Sequence, residues 1–91
     1  MIGLDDCIAM CGLEPEEVVA ICEHEQICEV QAAALASYLL HQVHGAERIG
    51  TMIIEDIDEA RNRGEMKRAD ELVAVLDRFL QRYPEAAVAV E

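Results

Sequence analysis

The side chains best suited to chemistry are four thiols and three imidazoles: Cys7, Cys11, Cys22, Cys28, His24, His41 and His44, all in the first half of the 91-residue chain. The same stretch, Met1 to Glu47, carries nine carboxylates and no Lys or Arg, whereas every basic residue (Arg48, Arg61, Arg63, Lys67, Arg68, Arg78, Arg82) follows it. A segment of net charge −9 rich in thiols and imidazoles attracts thiophilic cations, or else a basic protein surface.

If the segments on either side of Leu13 form an antiparallel helical hairpin, Cys7 faces Cys22, and Cys11 lies one turn away near Val18. Glu25, one turn past Cys22, could then complete a ligand set. The candidate ligands are Cys7, Cys11, Cys22, His24 and Glu25, with Cys28 in reserve, for a transition metal such as zinc or iron. Against this, each cysteine lies on an apolar stripe, where a free thiol behaves as a small hydrophobe. No CxxC is present, and CxxxC followed by CxHxxxC is not a familiar zinc spacing. Packing is therefore the favoured role for the thiols, with a metal site or a redox-sensing pair as the alternative.

Other groupings are weaker. At 100° per residue, Val18, Cys22, Glu25, Glu29, Ala32, Ala36, Leu39 and Val43 share one stripe if a single helix runs through them. Two carboxylates on that stripe would need partners or a cation, and a helix break placing both in water is the simpler reading. His24 and Cys28, four apart, could activate a thiol, but no third orienting residue and no Gly-rich oxyanion loop accompany them. His41 and His44 could share a metal, but the plainer reading, imidazoles at the C-terminal end of a helix, is favoured. Glu55, Asp56, Asp58 and Glu59 lack the glycine and ligand spacing of a calcium loop, which leaves a solvated acidic face. With no nucleophile, base and orienter in evidence, an enzyme is not expected.

The elements that must position these groups are helical. Thirteen alanines and long runs without Gly or Pro favour helix, and no alternating strand pattern or hairpin turn is found. Leu4, Cys7, Ile8 and Cys11 form a helical stripe ended by Gly12. Pro15 starts a second helix, which either runs to His44 or breaks near Ile27 after the polar run from Glu23 to Gln26; the break is favoured. Gly45 reads as a C-terminal cap, with further helices over 46–63 and 65–83, closed by Gly64 and Pro84. The last of these buries Met66, Ala69, Leu72, Val73, Leu76, Phe79, Leu80 and Tyr83. The fold class is all-α: a small dimeric bundle of four to five helices, one domain over 1–84 and a flexible tail over 85–91.

A formal net charge of −12 opposes binding to nucleic-acid phosphates and to anionic membranes. The uncharged run from Val30 to Val43 is too short to span a bilayer. No basic and apolar leader pattern is seen, so a cytoplasmic protein with reduced thiols is expected. Val18, Val19, Ile21, Leu39, Leu40, Ile53 and Ile54 exceed what one small core can hold, and surplus apolar surface on a small bundle becomes a symmetric contact. The function expected is that of a non-enzymatic acidic interaction module, forming a homodimer or meeting a partner with a basic surface. A metal-binding or thiol redox-sensing protein is the alternative.

Overall fold

The computed structural model describes the backbone of residues 12–90 and the side chains of residues 12–87. Four α-helices and one 3-10 helix make up this part of the chain, with no strand among the described residues. The segment from Leu4 to Cys11, expected to be helical, lies outside them.

Helix α1 (Pro15–Glu25) begins with Pro15 in the first turn, where its missing N–H is no loss. The Glu14 N–H donates to Oε1 of Glu17 at 2.8 Å, tying the helix start to its own first turn. At the other end Gln26 adopts a left-handed conformation, with φ +57°. The polar run stops the helix there, and Ile27 turns back toward the core. Helix α2 (Glu29–Leu40) then starts afresh from Cys28, whose N–H donates to Oε1 of Gln31. The break near Ile27 is thus present, and Glu25 and Glu29 both meet solvent.

Gly45 does not cap a helix. Helix α2 ends at Leu40, and helix α3 (Gly45–Asn62) opens at Gly45 itself, preceded by His44 at φ +63°. A Cβ at Gly45 would overlap the Leu39 carbonyl, so the glycine is required by close backbone approach. At its far end α3 closes as a Schellman motif, with Glu65 N–H donating to Ala60 O and Gly64 N–H to Arg61 O, Gly64 being at φ +77°.

Helix α3 is the centre of the bundle and touches every other element. Its buried face runs Ala46, Ile49, Gly50, Ile53, Ile57 and Ala60, a helical period of apolar residues. Helix α4 (Met66–Arg82) packs along it through Ala69, Leu72, Val75 and Phe79. Met66 and Val73, expected in this stripe, are instead exposed, because the helix turns Val75 inward between Leu72 and Phe79.

The segment expected as a loose tail is wound as a 3-10 helix over Pro84–Val90. Ala86 is fully buried there, seated over Gly50. Of the apolar residues thought too many for one core, Val18, Ile21, Leu39 and Ile53 are buried. The exposed apolar side chains include Val30, Tyr38 and Val43, on or just after α2. No helix among the described residues is long and apolar enough to cross a membrane.

Candidate functional site

Cys7 and Cys11 of the candidate metal set lie outside the described residues. Cys22 is half-buried on α1 and Cys28 is exposed at the start of α2; the two line one open groove with Ile27 and Val30. Burial, with Glu29 beside it, pushes the Cys22 thiol up from its ordinary value. That is the opposite of what an activated nucleophile needs.

His24 sits between two carboxylates, Nδ1 3.2 Å from Glu25 Oε2 and Nε2 3.1 Å from Glu55 Oε1. His41 donates from Nδ1 to the Ser37 carbonyl at 2.6 Å, and His44 lies 3.0 Å from Glu47, so the two imidazoles serve separate partners. Among the described residues no group of three or more His, Cys, Asp or Glu side chains is arranged to hold a metal ion.

The structure singles out two other acids. Glu17, in the first turn of α1, is fully buried and is gripped at both oxygens by Arg82, at 2.9 Å from Nη1 and 2.6 Å from Nη2. The hydrogen bonds it donates to Glu17 hold the Arg82 guanidinium still more firmly in its charged form. Arg82 and its neighbour Tyr83 also donate to the Gly12 carbonyl, at 3.2 and 2.7 Å. This is a structural clamp: it satisfies a buried charge and fastens the last turn of α4 to the start of α1.

Asp56 is the second. It belongs to the run of acids expected to face water, and its neighbours Glu55, Asp58 and Glu59 do so. Asp56 itself is only 8% exposed, because α3 turns it toward α1 and α4 between Ile53 and Ala60. Its Oδ2 is buried with no hydrogen-bond partner among the described residues. Burial raises its carboxyl to about 6; His24 opposes the rise, Glu23 and Glu59 add to it, and Arg68 opposes it more weakly.

Asp56 lines a polar pocket of about 180 Å³ where the end of α1 meets the α3–α4 turn. Glu23 and His24 form one wall, Glu59 and Arg63 another, and Glu65 and Arg68 the third. Arg68 is held by Glu23 at 2.7 Å and by Glu71 at 3.4 Å, and Arg63 pairs with Glu59. His24 also lines an adjoining open pocket of about 420 Å³ with His44, Glu47 and Glu55. Asp56 was expected to face solvent with its acidic neighbours, yet both it and Glu17 occupy helical spacings shared with apolar residues. Asp56 stands three past Ile53 and four before Ala60, and Glu17 stands four before Ile21.

Chemically, the Asp56 pocket can take up a proton near neutral pH or hold a cation. Asp56 Oδ2 has no hydrogen-bond partner among the described residues. The chain matches no protein-family model, no curated protein and no solved structure.

Proposed function

We propose that this protein is an acidic helical interaction module that pairs with a second copy of itself through the outer face of α2. One observation carries the reading: Val30, Tyr38 and Val43 are 52, 61 and 84% exposed, on a stretch from Val30 to Ala46 that has no Asp, Glu, Lys or Arg. Val30, Ala34 and Tyr38 recur every four residues, and all three are exposed on α2.

Charge selects the partner. Two chains of net charge −12 repel one another over most of their surface, and close approach is least costly where charge is missing. The uncharged face of α2 meets that condition. Tyr38 at its centre is the residue type that anchors interfaces, with a large rigid ring and a hydroxyl left for the rim. The acidic faces outside this patch suit a protein with a basic surface, which the dimer would present in two copies.

Amide hydrogen exchange at two protein concentrations tests the proposal. Amides of α2 should gain protection as concentration rises from about 1 to about 100 μM, a range that brackets micromolar association. Protection that stays the same at both concentrations, or rises evenly along the chain, would refute it.

A further inference from the structure

We infer that the pocket around Asp56 receives a guanidinium group, with the Asp56 carboxylate as its principal acceptor and Glu65 as a second. The inference goes beyond self-association and uses a different part of the molecule.

The unpartnered atom comes first. Asp56 is buried and lines the pocket, and its Oδ2 is shielded from water with no hydrogen-bond partner among the described residues. A buried carboxylate oxygen calls for a donor, because its hydration is lost without replacement. The volume of about 180 Å³ far exceeds the roughly 10–15 Å³ that admits one water. It leaves room for a planar ion and part of the chain bearing it.

The charge balance gives the sign of the ligand. Of the four carboxylates lining the pocket, Glu23 is tied to Arg68 and Glu59 to Arg63. Asp56 and Glu65 are left with no ion pair among the described residues. His24 is engaged by Glu25 and Glu55, on the side of the neighbouring pocket. An anion would meet this surplus directly, and a neutral ligand would leave it uncompensated.

Geometry selects among cations. A divalent ion needs several oxygens converging at one point, and among the described residues no three acidic, thiol or imidazole groups do so. A guanidinium spreads five N–H donors over a plane, which suits acceptors on separate walls of a slot: Asp56 on α3, Glu65 in the turn, and the free lone pairs of Glu23 and Glu59. Ala60 and Leu72, which complete the lining, offer an apolar surface for a methylene stem.

The test uses the full chain labelled with ¹⁵N and titrated with methylguanidinium chloride, then with magnesium chloride, at constant ionic strength. Methylguanidinium should give saturable amide shifts centred on Asp56, Glu59 and Glu65, weakened by about tenfold or more in Asp56→Asn through loss of the charged acceptor. The absence of saturable shifts, equal affinity in Asp56→Asn, or magnesium saturating the same amides at lower concentration would overturn the inference. A second reading needs no variant. The Asp56 carboxyl ¹³C titration should move from about 6 to about 5 when methylguanidinium is saturating, because a neighbouring cation favours the carboxylate. An unmoved titration counts against the site.

The same titration separates two sources of the ligand. A blocked Gly-Arg-Gly peptide that binds at least as tightly as methylguanidinium assigns the site to a partner protein's arginine. Binding of methylguanidinium with rejection of the peptide assigns it to a free guanidine compound. Either result upholds the pocket as a guanidinium receptor.

Discussion

Arg82 grips both oxygens of Glu17 across 65 residues of sequence, at 2.9 and 2.6 Å, and so joins the end of α4 to the first turn of α1. Glu17 is fully buried while the Arg82 side chain keeps a third of its surface in water. The carboxylate therefore depends on the pair more than the guanidinium does. Glu17 also accepts from the Glu14 N–H, so its loss would loosen the start of α1 as well.

Removing the cation alone should be costly. Arg82→Ala is expected to destabilise the fold by about 3 kcal/mol, since it strands a buried carboxylate. Glu17→Gln placed on top of Arg82→Met should recover much of that loss, because nothing charged is then left buried. Urea unfolding of the single and double variants measures both. A double variant as unstable as the sum of its parts would show that the two residues do not act as a pair.

Asp56 makes stability depend on pH. Its folded carboxyl stands at about 6 against an ordinary 3.8, so between those values the folded state binds more protons than the unfolded one. Stability is therefore greatest below about pH 4 on this group's account, falls as pH rises toward about 6, and stays at the lower level above it. The full effect is at most about 3 kcal/mol. Asp56→Asn removes the titration, so its stability relative to the parent should improve by about 2 kcal/mol between pH 4 and pH 7.5. A difference that does not change with pH would mean that Asp56 is hydrated like a surface acid.

The turn glycines should respond unequally to a methyl group. Gly45→Ala drives a Cβ into the Leu39 carbonyl and should cost about 3 kcal/mol or more. Gly64→Ala meets nothing within 4 Å and strains only the backbone at φ +77°, for about 1 kcal/mol. Thermal unfolding of the two variants under one set of conditions compares them directly. Equal losses would contradict the close approach at Gly45.

The thiols should also differ. Cys28 is exposed and Cys22 is half-buried with its thiol pushed up. Iodoacetamide at pH 7.5 should alkylate Cys28 roughly tenfold faster than Cys22, since reaction runs through exposed thiolate. Peptide mass mapping over time reads the two rates, and faster labelling of Cys22 would show that its thiol is open to solvent.

Much of the scaffold can be read from punctuation. Pro15, Gly64 and Pro84 mark helix ends by backbone chemistry that no neighbour can change, and the polar run from Glu23 to Gln26 marks the break. Gly45 misleads because the reason for it is the closeness of the Leu39 carbonyl, a contact visible only once the turn is built. The 3-10 segment after Pro84 is hidden for a similar reason, since Ala86 is buried by packing over Gly50, a contact distant in sequence. The candidate sites are harder to read. Cysteines and histidines draw attention by type, yet His24, His41 and His44 take separate partners. Asp56 and Glu17 look like solvated acids by type and reveal themselves only by position, on helical spacings otherwise filled by apolar residues.

Self-pairing through α2 is the central claim, and sedimentation velocity in low and high salt addresses it most directly. Added salt screens the repulsion between two acidic chains while leaving an apolar contact intact. The parent protein at about 50 μM should therefore sediment as a dimer whose fraction grows with salt, and Tyr38→Glu should stay monomeric throughout. A parent that is monomeric at every salt concentration, or a Tyr38→Glu variant that associates as well as the parent, would contradict the account.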